Sequence, residues 1–204
     1  MKTNIKSIPL SKKFFPGLLP LVGQKQYELV LARYSDLYLK CDMPENAMLK
    51  HHLVQGILPG LAYYQLLREE GKSQEAALEK IDQIFEAVFE DHMKEFQRLG
   101  RLPFVYTLLR AVIKTAMREY PAEGWEMIWQ QVDGNAIRFR MNTCFYYNTL
   151  SAYGAPELTA AYCRVDDLIY GNMSSQVLWQ RTQTIARGAE YCDFCFANAR
   201  KAAK

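Results

Sequence analysis

The spacing of apolar residues changes once along this chain, near Pro121 and Gly124. Before that point apolar residues recur every three or four positions, which is the period of a helix that buries one face. After it, Trp125, Met127 and Trp129 alternate with their neighbours, which is the period of a strand. The two periods predict an α+β fold: an N-terminal helical layer packed on a small C-terminal antiparallel sheet of about four strands, with one inserted helix.

Residues that begin and end helices divide the first part of the chain. Asp42 is predicted to cap the second helix, with Pro44 in its first turn, where a missing N–H costs nothing. A proline inside a helix removes a hydrogen bond, so we expect a kink or break at Pro59. Ser73 is predicted to cap a long amphipathic helix that ends near Leu99.

Turn signals divide the second part. Asp133-Gly134 predicts a hairpin between two alternating segments. A helix is predicted over 156–170, where Pro156 opens it. Two further strands are predicted over 177–184 and 191–197, joined by a short turn.

The composition bounds the class of protein. With 204 residues, half of them apolar, the chain has enough material for one sizeable core. We therefore expect one domain over 1–204: an irregular lead-in (1–22), a helical part (23–120), and a sheet-containing part (121–204) that carries the site. The net charge is +3 and the basic residues are scattered, which argues against a nucleic-acid partner.

The cysteines and the N-terminus predict a compartment. Pro16, Gly17 and Pro20 interrupt the first apolar stretch, which is not typical of a signal peptide, and no apolar run is long enough to span a bilayer. The five cysteines, an odd number, are then expected to be reduced thiols in a cytoplasmic protein. We expect a small-molecule substrate and no membrane partner, and a homo-oligomer stays open.

Cys163 has the most informative neighbours among the cysteines. Asp166 and Asp167 follow it by three and four residues and Tyr170 comes one turn later, so a helix places a thiol, at least one carboxylate and a phenol on one face. Such a set can supply a nucleophile with acid–base partners, or metal ligands. The alternative is a buried cysteine with solvated acids.

The other cysteines are weaker signals. Cys192 and Cys195 form a C-x2-C pattern, but on a strand an odd separation points the two thiols to opposite faces. Convergence of Cys144, Cys163 and Cys192 would resemble a thiolate-rich zinc site. The sequence requires no cofactor, and zinc is the alternative that these three cysteines leave open.

Two arginines lie near the last predicted turn: Arg181 precedes the polar end of a predicted strand, and Arg187 lies in the turn. A guanidinium at Arg181 or Arg187 can bind a substrate carboxylate through two hydrogen bonds. The alternative is an exposed arginine paired with Asp193 or Glu190. No glycine-rich nucleotide loop and no G-x-S-x-G elbow occurs in the sequence, which leaves nucleotide binding and serine-hydrolase chemistry without support.

The order of these motifs resembles one known family, the L-2-amino-thiazoline-4-carboxylic acid hydrolases, from about residue 45 onward. The C-terminal segments that carry the resemblance are GAPEL (154–158), YCRVDD (162–167), WQRTQTIARG (179–188) and CDF (192–194). The N-terminal segments are ILPGLAYY (57–64) and LLREEG (66–71). Cys195 stands where the family pattern leads us to expect a basic residue.

The resemblance implies a hydrolase that opens a cyclic amidine and yields a carbamoyl-cysteine. Cys163 or a water would attack the carbon between sulfur and nitrogen, an aspartate would be the acid–base group, and an arginine would hold the substrate carboxylate. Near-neutral reactivity of the thiol would need a lowered pKa. The implied site residues are catalytic Cys163, Asp166 and Asp167, and substrate-binding Arg181, Thr184, Arg187 and Asp193.

Two other classes of function stay open. A small sheet covered by helices, with spread cysteines and acids, also resembles the ligand-sensing domains that are similar to four-vinyl reductases. Such a domain would bind a small apolar molecule or a structural zinc without turnover. A helical interaction protein would instead expose a large apolar patch along its long helix.

Overall fold

The computed structural model describes residues 8–202 of the chain, and these form two compact units. One unit takes the described residues up to Phe89 together with Thr149–Ala161. The other takes Glu90–Asn148 together with the described residues from Tyr162 onward. The single domain expected over 1–204 stays a prediction.

The first unit is helical. Its elements are α1 (Phe14–Lys40), α2 (Ala47–His52), a π-helical turn (Leu53–Ile57), α3 (Leu58–Glu69) and the first part of α4 (Gln74–Gly100). Several large side chains in its core are fully buried, among them Phe15, Leu18, Tyr34, Leu58 and Leu61. The helical part of the sequence prediction is confirmed.

The irregular lead-in predicted for 1–22 is wrong from Phe14 onward, because α1 begins there. Residues 1–7 lie outside the described residues. The Ser11 hydroxyl accepts the Phe14 N–H at 3.2 Å and so satisfies one of the first donors of the helix. A Cβ on Gly17 would lie 2.7 Å from Val88 Cγ2, so this glycine permits close packing and does not break the helix. The break in α1 comes at Gly23, whose φ is 76°.

The cap predicted at Asp42 is also wrong. α2 begins at Ala47, and the side chain of Asn46 accepts the N–H groups of Met48 and Leu49. Pro44 therefore precedes the helix. Asparagine caps a helix as well as aspartate does, so both positions carried the same signal and only one matched the start of the helix.

Two other helix signals are confirmed. The predicted break appears as the π-helical turn Leu53–Ile57, after which Pro59 stands in the first turn of α3. The hydroxyl of Ser73 accepts the Ala76 N–H at 3.2 Å at the start of α4.

The second unit contains the sheet. Its strands are β1 (Met127–Val132), β2 (Ala136–Met141), β3 (Val177–Gln180) and β4 (Cys192–Asn198), in the order β1-β2-β4-β3 with every pair antiparallel. This unit also contains α5 (Val105–Ala116), α8 (Ala199–Ala202) and most of α7 (Thr159–Gly171), and α6 (Phe145–Ala152) is divided between the two units. The predicted α+β class and four-stranded antiparallel sheet are confirmed. α7 is the predicted inserted helix, whereas α6 was not predicted.

One face of the sheet is aromatic and packs against α7. Phe139 of β2 stacks on Phe194 of β4 with ring centroids 4.8 Å apart. Tyr170 of α7 contacts Trp179 and Phe196, at 5.1 and 5.3 Å between ring centroids. This packing holds α7 beside the end of β3.

β3 is shorter than the strand predicted over 177–184 and ends at Gln180. The N–H groups of Thr182 and Gln183 donate to the Asp193 carboxylate at 2.9 and 2.8 Å. These donors are therefore satisfied by a side chain, and the chain leaves the sheet into the loop that joins β3 to β4.

Candidate functional site

Arg181 lies at the centre of the candidate site. It follows β3 directly, and its guanidinium donates to Asp166 Oδ2 at 3.1 Å and to the Cys163 carbonyl at 2.5 Å, and pairs with Asp167 Oδ2 at 2.7 Å. Its side chain is only 3% exposed and lies over the rings of Trp179 and Phe194, at 5.6 and 5.7 Å.

The charged partners of Arg181 were not predicted from the sequence. They are the two aspartates of α7, and not the alternatives Asp193 and Glu190. Because three acceptors already surround the guanidinium, its geometry suits a group that positions the acids. Substrate binding by Arg181 stays a prediction.

The two aspartates differ in how firmly they are held. Asp167 accepts a hydrogen bond from the Trp179 indole N–H at 2.9 Å as well as the Arg181 contact. Asp166 contacts Arg181, and its side chain is 36% exposed. Burial nevertheless raises the pKa of Asp166 to about 6, against the opposing charge of Arg181 and with support from Asp167. Desolvation by the surrounding protein therefore outweighs the ion pair with Arg181, although part of the Asp166 side chain remains exposed.

The thiol of Cys163 is half-buried on α7, next to this ion-pair cluster. Burial raises its pKa to about 12, and the nearby Arg181 charge only partly opposes that effect. Cys144 and Cys192 influence the same thiol, and burial raises the pKa of Cys144 to about 11. The thiols are therefore neutral near pH 7, and the activation that a nucleophilic cysteine needs is not provided.

Several tyrosines lie near Asp166, and of these only Tyr170 was predicted from the sequence. Burial raises the pKa of the phenols of Tyr120, Tyr146 and Tyr170, and in each case the charge of Asp166 contributes to the increase. These phenols keep their protons at neutral pH, and a protonated phenol is able to donate a hydrogen bond. The dense aromatic run at 145–147 was the available signal for Tyr146.

The loop between β3 and β4 holds the other predicted binding residues. Thr184 is 2% exposed, and its hydroxyl is buried with no hydrogen-bond partner in the part of the chain that the structure describes. The next residue, Ile185, donates its N–H to the Cys192 sulfur at 3.2 Å, which holds this loop against the thiols.

Arg187 and Asp193 occupy different positions in that loop. Arg187 is exposed in a short 3-10 turn, Ile185–Arg187, which Gly188 ends with a φ of 85°. The Asp193 carboxylate accepts the backbone N–H groups of Thr182 and Gln183 and the Thr182 hydroxyl. Asp193 therefore shapes the loop. Substrate binding by Arg187 and by Asp193 stays a prediction.

The three cysteines of the zinc alternative do not form a metal-ligand set within the described residues. Cys144, Cys163 and Cys192 lie near enough to influence one another, but over residues 8–202 no three histidine, cysteine or acidic side chains come together as ligands of a metal ion. Cys195 packs with Ala136 and Ala197, whereas Cys192 contacts the Ile185 backbone, so the two thiols of the C-x2-C pattern face different neighbours as predicted.

The described helices give no candidate for a membrane span: between residues 8 and 202, each one is too short or too polar to cross a bilayer.

Comparison with known proteins identifies the family. Neither the curated proteins nor the solved structures include a significant match. The family model described as L-2-amino-thiazoline-4-carboxylic acid hydrolase matches residues 50–196, well over half of the chain, and this range contains Cys163, both aspartates of α7 and Arg181. The chain belongs to the L-2-amino-thiazoline-4-carboxylic acid hydrolase family.

Proposed function

We propose that the protein hydrolyses a small cyclic amidine of the 2-amino-thiazoline-4-carboxylate type, or a related C–N bond, with Asp166 as its acid–base group. The observation that carries this proposal is a partly exposed carboxyl held by the buried Arg181 guanidinium at 3.1 Å, and its pKa of about 6 lies close to neutral. A general acid–base group works best when its pKa lies near the working pH.

Water is the better nucleophile for this site. A thiol with a pKa of about 12 is almost entirely protonated at pH 7, so Cys163 would supply little thiolate. Asp166 is mostly ionised at that pH and can take a proton from water. Of the two nucleophiles that the family resemblance allows, the raised thiol pKa therefore favours water.

The proposed reaction conserves its atoms. The water oxygen bonds to the carbon between sulfur and the ring nitrogen, while its proton passes to Asp166. Asp166 passes this first proton to the ring nitrogen as the C=N double bond becomes a single bond. The hydroxyl on the carbon then gives its proton to Asp166, the C–N single bond breaks, and the nitrogen takes this second proton and leaves as a primary amine. The carbon becomes the carbonyl of a carbamoyl-cysteine, and the overall change is the addition of one water.

Arg181 acts as a positioning residue in this scheme. It holds Asp166 and Asp167 to the loop after β3, so the acid keeps one orientation. The neutral phenols of Tyr146 and Tyr170 supply donors around the acid.

Thr184 is the proposed donor to the substrate carboxylate. A buried hydroxyl without a partner costs about 1–3 kcal/mol, so a bound ligand that accepts from it would recover that cost. Thr184→Val is therefore expected to raise KM and leave kcat nearly unchanged. Thr159→Val is a matched control, since the Thr159 hydroxyl is also buried without a partner among the described residues. Equal KM values for the two variants would remove Thr184 from the binding site.

Steady-state turnover of 2-amino-thiazoline-4-carboxylate tests the acid–base assignment. Asp166→Asn is expected to lower kcat by a factor of about 10²–10⁴, the usual contribution of a general acid–base group. Cys163→Ser should stay within a few-fold of the wild type, and the exposed Glu190→Gln serves as the loop control. Full activity of Asp166→Asn would eliminate this role, and a wild type that opens no cyclic amidine would eliminate the proposed function.

A further inference from the structure

The outer face of α5 is apolar, uncharged and exposed. The side chains at 104, 107, 108, 111, 112 and 115 follow the three-and-four spacing of one helix face, and all are exposed. Leu108 and Val112 are 48% and 55% exposed. These six residues, called the α5 stripe below, are Phe104, Thr107, Leu108, Ala111, Val112 and Thr115.

The opposite face of α5 already packs inside the protein. Val105, Tyr106 and Ile113 are buried, and the Tyr106 hydroxyl donates to the Asp133 carbonyl at 2.8 Å. α5 is therefore fixed in place, and the α5 stripe is a second apolar face that this packing does not use.

Phe104 adds an independent observation. It is 64% exposed and has a φ of 63°, the only positive φ at a non-glycine residue among those the structure describes. A bulky side chain in the left-handed region is strained by about 1–2 kcal/mol. The guanidinium of Arg200 lies 5.7 Å from its ring and holds the ring at the start of the stripe. Strain that presents an aromatic ring to solvent indicates a contact surface.

The basic side chains of α5 turn away from the stripe. Arg110 of α5 reaches the β1–β2 hairpin, where its Nη1 would lie 3.8 Å from a Cβ on Gly134. Lys114 lies over the Trp129 ring at 5.7 Å. Two copies of α5 can therefore approach through the stripe without bringing these charges face to face.

We propose that the α5 stripe binds the α5 stripe of a second copy of the chain, in an antiparallel helix pair about a two-fold axis. The half-exposed apolar side chains of the stripe, extended by the exposed Leu99 and Leu102 next to it, offer roughly 400 Å². A stable protein interface of standard size buries roughly 800 Å² per partner, and at the apolar share of about 65% found in homodimers this needs roughly 500 Å² of apolar surface. The stripe and the methyl groups of its threonines supply most of that area.

An isologous pair also fixes which residues meet. The axis passes near the middle of the stripe, so Leu108 of one copy faces Val112 of the other. Leu108→Glu and Val112→Lys each put a charge into the contact, and each is expected to give a monomer. The two variants mixed in equal amounts are expected to form heterodimers, because the new glutamate then faces the new lysine.

Sedimentation velocity on the full chain tests this proposal at about 1–200 μM. The wild type is expected at twice the chain mass of 23.6 kDa, and both charged variants at the single mass with an unchanged circular dichroism spectrum. Leu39→Glu is the matched control, since Leu39 on α1 is 53% exposed and lies outside the stripe. A monomeric wild type, or charged variants that still dimerise, would overturn the proposal, and a mixture that stays monomeric would overturn the antiparallel pairing.

Discussion

Replacement of Arg181 by methionine is expected to destabilise the sheet-containing unit. The substitution keeps an unbranched side chain over Trp179 and Phe194 but removes the charge that pairs with Asp166 and Asp167. It also removes the donor to the Cys163 carbonyl.

The size of the effect follows from burial. Loss of one partner from a buried ion pair costs about 3–5 kcal/mol, because the remaining charge has no compensation. The Arg181 side chain is 3% exposed, but both carboxylates are more than a third exposed and regain some water. Solvent screening therefore reduces the expected loss to about 2–3 kcal/mol at pH 7.

Urea unfolding followed by far-ultraviolet circular dichroism measures this loss. Arg187→Met is the control, because Arg187 is exposed in the 3-10 turn and should change the unfolding free energy little. The loss in Arg181→Met should shrink at pH 5, where Asp166 is protonated and no longer repels Asp167. A loss below about 1 kcal/mol at pH 7, or no difference from the control, would refute the positioning role of Arg181.

Three further predictions concern single side chains. The pKa of Asp166 is raised in the fold, so its contribution to stability is complete below pH 4 and is lost as pH rises through about 6. Asp166→Asn should therefore stabilise the protein by about 1–2 kcal/mol at pH 7.5, after solvent screening, and should have little effect at pH 4. Urea unfolding at the two pH values measures both effects. Phe104→Gly removes the strain of a bulky residue in the left-handed region, so it should raise the unfolding free energy of the monomer by about 0.5–1 kcal/mol and weaken dimerisation. A lower unfolding free energy would contradict the claim that Phe104 is strained. Cys163 should react with iodoacetamide far more slowly than free cysteine at pH 8, because its pKa is about 12; a rate equal to that of free cysteine, followed by mass spectrometry of tryptic peptides, would contradict the raised pKa.

The sequence predicted the elements whose signals are local. The Asp133-Gly134 hairpin, the cap at Ser73 and the helix that carries Cys163 all depend on residues a few positions apart, and the structure contains each of them. The errors came where local signals competed. Prolines and Gly17 suggested an irregular lead-in, whereas close packing against Val88 keeps that segment helical.

Helical spacing predicted which side chains of α7 lie close together, but not their pairing with Arg181. Helical spacing placed Cys163 beside Asp166 and Asp167, because that arrangement needs only one turn of helix. The pairing of Arg181 with both acids depends on how α7 packs on the sheet, and no spacing in the sequence encodes it.

The sequence also could not predict the pKa of Cys163 or of Asp166. The high pKa of Cys163 comes from burial by residues distant in the chain. Burial also raises the pKa of Asp166 above that of an ordinary surface aspartate. The sequence therefore left thiol and water as equal alternatives, and burial favours water.

A carbon-13 titration of the aspartate carboxyl groups, with Asp166→Asn to assign the resonance, tests the central claim most directly. Asp166 is predicted to titrate with a pKa of about 6. A midpoint near 4, the ordinary value of an exposed aspartate, would contradict the claim that burial tunes this carboxyl for acid–base work.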